Sequence, residues 1–183
     1  ACLDEVNGFE FDITLRCSPI STPNLPAMIP WVDNGSGRNS LLKAAAVAIP
    51  LKRLFNFKNR FFKYHEKEAV AGAFRVSQNA SLVIDGVSDD QPLEDYWALR
   101  GEMKLVQKIA QLDPSLVIPP NFSLFTDVPR HDNLYNLKRI VLCWQEFMEA
   151  GIPTALFLNA RTDRDCQRWT DFIQARDDVT NVA

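Results

Sequence analysis

Residues 93–112 constrain the fold of this chain more than any other stretch. Tyr96 to Leu99 is rich in aromatic and aliphatic residues, which is typical of a β-strand, and Gly101 interrupts it. Beyond Gly101, apolar side chains recur at the three- and four-residue spacing of a helix face, at Met103, Val106, Ile109 and Ala110. The stretch therefore predicts a strand that leads through a glycine turn into a helix beginning at Glu102.

Such a turn would direct backbone N–H groups and the positive end of a helix dipole towards one spot, which suits an anion. Lys104 would add a full positive charge in the first turn of the helix. The predicted phosphate site consists of Gly101, Glu102, Met103 and Lys104. The alternative is a purely structural turn, because strand–glycine–helix junctions are common and a single glycine is not a phosphate motif.

Composition limits the classes of protein to which the chain can belong. The 183 residues, 46% hydrophobic and 23% charged, have the balance of one globular domain. The formal net charge is −3, so binding of nucleic acid would depend on a local basic patch. The sequence has no run of 18 apolar residues, so we expect no membrane insertion.

The first fifteen residues are acidic and lack the pattern of a secretory signal, although a signal already removed would leave no trace. The four cysteines form no CxxC pair, and with two histidines a zinc site is not favoured. We therefore expect a cytoplasmic protein with reduced thiols, with two disulfides as the alternative.

Hydrophobic periodicity predicts alternating strands and helices. The predicted strands are residues 9–15, 48–51, 80–84, 115–118 and 153–158, and the predicted helices are residues 41–47, 102–112, 133–150 and 161–176. Four prolines between positions 19 and 30 predict an extended loop. The expected fold is a single mixed α/β domain with a small, partly parallel sheet, in which residues 1–46 wrap a core of residues 47–125 and residues 126–183 form a helix–strand–helix unit.

Gly35, Gly37 and Arg38 precede the predicted helix 41–47, which Ser40 would cap. Backbone N–H groups of such a turn, together with a guanidinium group, can hold a phosphate. The stretch lacks the Lys-Ser/Thr of a P-loop and the third glycine of the dinucleotide fingerprint, so a flexible turn is the alternative.

Residues 52–67 form a basic run in which six Lys or Arg residues face one acid, Glu66, with five aromatic residues between them. Cations neutralise phosphates and aromatic rings stack on unpaired bases, so the run predicts a DNA-binding surface. Its candidate contacts are Lys52, Arg53, Lys58, Arg60 and Lys63. The alternative is that the aromatic rings belong to the core and the cations to its solvated outer face.

Residues 85–95 contain five acids and no base. A divalent cation of a phosphodiesterase would need such ligands, but a charge run of this kind is more often a solvated loop, which is the favoured interpretation.

Two of these stretches resemble the ParB/sulfiredoxin superfamily. Residues 49–54 and 56–61 are similar to the first conserved block of ParB proteins, and residues 96–104 to the second block, a strand leading into Gly-Glu-Arg-Arg and a helix. The resemblance implies a ParB/sulfiredoxin-like fold whose glycine turn holds the phosphates of ATP or CTP. It argues against sulfinic-acid reductase activity, because Glu102 stands where sulfiredoxins have a catalytic cysteine.

Within this superfamily the chain resembles plasmid fertility inhibition factors of the oncogenic-suppression-activity type. This resemblance implies ATPase and DNase activities directed at transfer DNA, or its relaxase complex, bound for a type IV secretion system. Glu102 would orient water or hold Mg²⁺ and Lys104 would neutralise charge, so both are the candidate catalytic residues. ATP would bind at Gly101–Lys104, with Gly35, Gly37 and Arg38 as further candidates.

Two other functions stay open. One is a non-catalytic DNA- or protein-binding inhibitor that uses the same basic run, and the other is a sugar- or acid-processing enzyme on a larger barrel. Residues 120–127, with Trp144-Gln145 and Gly151-Ile152, also resemble an uncharacterised domain family of phages and plasmids, which implies a mobile element but no activity.

Overall fold

The structure, a computed structural model, describes residues 2–11, 16–21 and 24–183. Its helices are α1 (Cys2–Glu5), α2 (Lys67–Phe74), α3 (Asp90–Leu99), α4 (Leu105–Ala110), α5 (Arg130–Glu149) and α6 (Asp163–Gln174), with a 3-10 turn at Leu51–Arg53. Its strands are β1 (Ala46–Pro50), β2 (Phe55–Asn56), β3 (Phe61–Phe62), β4 (Ser81–Asp85) and β5 (Leu116–Ile118). The mixed α/β class is confirmed.

The main sheet is parallel and has the order β1-β4-β5, and β2 and β3 form a separate antiparallel hairpin. Single parallel bridges extend the main sheet on both sides, through Trp31 and Ala48, Val117 and Thr154, and Leu156 and Val182. Neighbours in the sheet therefore follow one another in chain order, and from β1 onwards helices occupy the connections between them. This is the strand order of β/α barrels, and it brings the carboxyl ends of the strands to one edge.

The strands predicted at residues 48–51, 80–84 and 115–118 are confirmed, and residues 153–158 pair with their neighbours through single bridges. The helices predicted at residues 133–150 and 161–176 are confirmed as α5 and α6. Helix α5 lies at the centre of the core, where Leu137, Ile140, Trp144 and Phe147 are 0% exposed. Trp169 and Phe172 of α6 are buried against it, as their spacing predicts.

The strand predicted at Tyr96–Leu99 is wrong, because these residues form the end of helix α3. Leu93, Tyr96 and Trp97 are buried at three- and four-residue spacing, so they form one helix face rather than alternating strand positions. Gly101 consequently lies between two helices, and α4 begins three residues later than expected.

The helix predicted at residues 41–47 is also wrong. Leu42 forms a parallel bridge with Val76, and strand β1 begins at Ala46. Val47 and Ile49 are buried, and pairing with β4 outweighs the helix propensity of the alanine run. Ser40 therefore caps no helix.

The structure describes only part of the strand predicted at residues 9–15, since residues 12–15 lie outside it; residues 9–11 belong to no strand. The proline-rich segment contains no helix at residues 16–21 or 24–30, as expected. Within the described part of the chain, no helix is both long and apolar enough to cross a membrane.

Candidate functional site

The predicted phosphate site lies in an exposed turn that joins α3 to α4. The N–H of Met103 donates to the carbonyl of Leu99 at 2.9 Å, and the N–H of Lys104 donates to the carbonyl of Gly101 at 3.2 Å. Lys104 adopts a left-handed conformation with φ of 52°. These amides are engaged within the turn, so an anion here would depend on the side chain of Lys104 rather than on the backbone at Met103.

A surface groove of about 840 Å³ borders this turn, between α3 and the end of α5. Arg100 lies in the groove with its guanidinium carbon 3.4 Å from the centre of the Trp97 ring. Its Nε donates to Glu146 Oε1 at 3.0 Å. Stacking and the ion pair together fix Arg100 in one position.

The charges of the groove are nearly balanced. Its lining includes the cations Arg100 and Lys104 and the carboxylates Glu102, Glu146 and Glu149. Burial raises the pKa of Glu146, and the nearby Arg100 only partly offsets this effect. The side chains that line the groove carry no net positive charge to balance a triphosphate. ATP binding at this groove stays a prediction, and it would require cations from outside the groove.

The basic run contacts the Gly101 turn directly. Arg60, in the turn between β2 and β3, places its Nη1 2.7 Å from Glu102 Oε1. Both side chains are 60% exposed. Two stretches separated by some forty residues of sequence are therefore in contact at the surface.

The other cations of the run differ in their partners. Lys52 pairs with Asp89 at 3.1 Å, and Arg53 donates through Nε to Asp33 at 2.8 Å. In the described ranges no ion pair is found for Lys58 or Lys63, and burial together with the charge of Arg53 lowers the pKa of Lys63. Lys58 and Lys63 are thus the cations of this group best placed to meet a phosphate, whereas Arg60 would first have to separate from Glu102.

Most of the aromatic rings of the run belong to the core, as the alternative interpretation holds. Phe55 and Phe62 are buried, and Phe57 and Tyr64 pack partly buried against them. Phe61 differs, since it is 46% exposed beside Arg60. It is the member of the run that is available for stacking on a base.

The turn at residues 35–38 packs against the end of α2. The guanidinium of Arg38 donates to the carbonyls of Asn34, at 2.8 Å, and of Phe74. A Cβ atom at Gly35 would overlap the carbonyl oxygen of Ala73. Glycine is required at position 35 for this close approach. The guanidinium of Arg38 is already hydrogen-bonded to backbone carbonyls. Phosphate binding by Gly35, Gly37 and Arg38 therefore stays a prediction.

The acids of residues 85–95 have separate partners. Asp85 accepts from Trp31, Asp89 from Lys52, Asp90 from Ser123, Glu94 from Arg139, and Asp95 from Gln91. In the part of the chain that the structure describes, no three His, Cys, Asp or Glu side chains are grouped to hold a metal ion. The role of Glu102 as a Mg²⁺ ligand stays a prediction.

The sequence analysis missed a second polar surface, at the carboxyl ends of the parallel strands. We call it the carboxyl-end face, and it consists of Trp31, Asp33, Lys52, Arg53, Asp85 and Asp89. Its members come from three separate segments and are joined in pairs by hydrogen bonds. One signal was available in the sequence, since Lys52 and Asp85 each follow closely on a predicted strand.

Comparisons of the chain with family models, with curated proteins and with solved structures give no match.

Proposed function

We propose that the chain is a plasmid fertility inhibition factor that binds DNA through the basic hairpin formed by β2, β3 and their connecting turn. The observation that carries this proposal is the contact between Arg60 and Glu102, at 2.7 Å. It joins the two stretches through which the sequence resembles the ParB/sulfiredoxin superfamily. A single surface therefore presents both the cations and the turn on which that resemblance rests.

The ion pair between Arg60 and Glu102 can be broken easily when another anion binds Arg60. The Arg60 and Glu102 side chains are both 60% exposed, and an exposed pair of this kind contributes only about 0–1 kcal/mol to stability. A DNA phosphate can therefore replace the carboxylate at little cost, and it would release condensed counterions on binding. Lys58 and Lys63 would add contacts along the backbone, while Phe61 stacks on an unpaired base.

The partner in this proposal is transfer DNA, free or bound to its relaxase, in the cytoplasm of the donor cell. Coupling components of the type IV secretion system are further candidate partners. Binding would withhold the DNA from export without requiring turnover.

Fluorescence anisotropy with labelled single- and double-stranded DNA, at several salt concentrations, tests the binding. We expect Lys58→Glu to weaken binding by about tenfold and to reduce the salt dependence, because a phosphate contact is replaced by repulsion. Lys43→Glu is the matched control, since Lys43 is exposed, lies outside the run and undergoes the same charge change. Equal losses in both variants, or no binding by the wild-type protein at low salt, would contradict the proposal.

A nucleotide-regulated nuclease is the second candidate, favoured by the groove of about 840 Å³ that borders Glu102 and Lys104. ATP would bind with its phosphates near Lys104, and Glu102 would orient the attacking water or hold Mg²⁺. For either role the Glu102 carboxylate must separate from Arg60. A DNA phosphate that binds Arg60 would release the Glu102 carboxylate.

Incubation of DNA with the protein, with and without ATP and Mg²⁺, separates the two functions. The nuclease predicts DNA fragments and released phosphate that Glu102→Gln and Lys104→Ala abolish. If the protein binds DNA but leaves it intact and releases no phosphate under every condition, the result would exclude the nuclease and support the non-catalytic inhibitor.

A further inference from the structure

The carboxyl-end face lies where ligands bind in parallel α/β folds. Trp31 neighbours β1 at Ala48, while Asp85 ends β4 on the opposite side of β1. The indole Nε1–H of Trp31 donates to Asp85 Oδ2 at 3.0 Å, so this hydrogen bond crosses the carboxyl end of β1. In parallel sheets the loops at this edge supply binding residues because the strands hold them on a rigid frame.

Trp31 presents a fixed aromatic surface to solvent. Its side chain is 54% exposed, whereas Trp97, Trp144 and Trp169 are each at most 4% exposed. The indole nitrogen is its one polar atom and is already bonded, so the exposed area is mainly ring carbon. The second oxygen of Asp85 accepts from the N–H of Val87 at 3.0 Å, which fixes the carboxylate that holds the ring.

Donors and acceptors also stand side by side on the carboxyl-end face. Arg53 donates through Nε to Asp33 at 2.8 Å, and Lys52 donates to Asp89 at 3.1 Å. Each pair offers a cationic donor next to an anionic acceptor. A hydroxyl group both donates and accepts, so it can bind such a pair without breaking it.

A small cavity with unsatisfied polar groups adjoins the face. Lys52, Gly86, Ser88 and Tyr96 line a space of about 10 Å³, which is close to the size of one water molecule. Within the described part of the chain, the Tyr96 hydroxyl and the Ser88 Oγ are buried and have no hydrogen-bond partner. The Ser88 Oγ would therefore accept a polar guest such as a bridging water in this space, whereas the Tyr96 hydroxyl lies towards Arg100, Cys143 and Glu146.

The geometry points to a binding site for an uncharged polyhydroxylated ring, a saccharide, whose C–H face stacks on Trp31 and whose hydroxyls bond to the Asp33–Arg53 and Lys52–Asp89 pairs. A polyanion would meet the carboxylates of Asp33, Asp85 and Asp89, and a cationic ligand would compete with Lys52 and Arg53 for the same carboxylates. This site borders the hairpin surface proposed to bind DNA, since Arg53 lies near Lys63, but it uses none of the residues Lys58, Arg60 and Lys63, and neither proposal depends on the other.

Acrylamide quenching of tryptophan fluorescence tests this site selectively, because Trp31 is the exposed tryptophan. The full chain is mixed with tetrasaccharides of glucose, galactose, mannose or N-acetylglucosamine at about 10 mM, where a Kd near 1 mM gives roughly nine-tenths occupancy. A single-stranded oligonucleotide and choline serve as the anionic and cationic probes. We expect at least one saccharide to lower the quenching constant about threefold, since a stacked ring shields most of the indole.

Saturation-transfer NMR of the bound saccharide gives a readout that does not need the fluorophore. Trp31→Ala is expected to weaken binding about tenfold, as removal of a central aromatic contact does. Phe61→Ala, which removes the exposed ring of the hairpin, is the matched control and should bind normally. Protection by the oligonucleotide or choline alone, failure of all four saccharides, or equal binding by Trp31→Ala would overturn the proposal.

Discussion

The guanidinium of Arg60 and the carboxylate of Glu102 connect the β2–β3 hairpin to the turn between α3 and α4, with Nη1 2.7 Å from Oε1. The contact places an acid against a cation that, under the proposed function, would contact DNA. Because the pair is exposed, solvent and salt compete with it, and it adds little to the stability of the fold; under the proposed function it would restrain DNA binding.

Replacement of Glu102 by Gln should strengthen DNA binding. The change removes a negative charge and frees Arg60 for a phosphate, so we expect affinity to rise about three- to tenfold and the slope of log K against log salt to steepen by about 0.9. Fluorescence anisotropy across a salt series measures both quantities. Asp127→Asn, an exposed change of the same charge in the loop after β5, is the control and should alter the slope far less. An unchanged slope in Glu102→Gln would show that Arg60 does not contact phosphate.

Gly86 and Gly101 should differ sharply in their tolerance of a methyl group. A Cβ atom at Gly86 would lie 2.5 Å from the carbonyl carbon of Pro119 and 2.6 Å from the carbonyl oxygen of Ile118, whereas one at Gly101 would meet no atom within 4 Å. We expect Gly86→Ala to lower the free energy of unfolding by about 1–3 kcal/mol through backbone displacement. Gly101→Ala should leave it unchanged or raise it by up to about 1 kcal/mol.

Urea unfolding of the two variants measures the difference in free energy directly. A loss in Gly101→Ala as large as that in Gly86→Ala would contradict the placement of Gly101 in an open turn.

The three cysteines whose side chains are described should react with iodoacetamide at different rates. Cys166 is exposed on α6, and Cys17 is half-buried. Cys143 is 0% exposed, and burial, with a contribution from Glu146, raises the pKa of its thiol. Because the thiolate is the reactive form, we expect Cys166 to react first and Cys143 only after unfolding.

Pulse labelling at about pH 8 followed by peptide mass spectrometry gives each rate separately, since thiolate populations become appreciable there. Labelling of Cys143 in the folded protein as fast as that of Cys166 would be inconsistent with the buried position of α5.

The sequence predicts the elements whose apolar residues recur with one clear period. Helix α5 shows Leu137, Ile140, Val141 and Trp144 at helical spacing, and β4 is a short apolar run bounded by turn residues. The prediction of a strand at Tyr96–Leu99 is wrong because the aromatic and aliphatic composition of these residues was given more weight than the helical spacing of Leu93, Tyr96 and Trp97. A window that included Leu93 would have indicated a helix.

The site was predicted less completely than the fold, because its contacts join distant positions. The contact between Arg60 and Glu102 joins two stretches that the sequence analysis treats separately. The N–H of Met103 donates to the carbonyl of Leu99, and this bond depends on where α3 ends. Trp31 and Asp85 are 54 residues apart in sequence, and only the parallel register of β1 and β4 brings them together. No local pattern could have paired them.

Asp165 should make stability depend on acid pH. Its side chain is 0% exposed and accepts hydrogen bonds from Arg130 and from the backbone N–H groups of Arg161 and Thr162, the latter two at 3.0 Å. Burial alone would raise the pKa of Asp165, but these hydrogen bonds outweigh it and hold the pKa below its ordinary value of 3.8. The carboxylate therefore stabilises the fold above that value, and this stabilisation is lost as pH falls through the lowered pKa.

We expect Asp165→Asn to lower the free energy of unfolding by about 2–4 kcal/mol at neutral pH, because Arg130 loses its partner and the start of α6 loses its capping box. Urea unfolding at pH values from about 6 down to about 2 should show the wild-type advantage shrinking as pH falls through 3.8, because the unfolded chain then binds a proton at Asp165 more readily than the folded chain does. Asp163→Asn, an exposed change in the same helical turn, is the control and should cost less than about 1 kcal/mol. A difference between wild type and Asp165→Asn that stays constant across this range would mean that the pKa of Asp165 is the same in the folded and unfolded states.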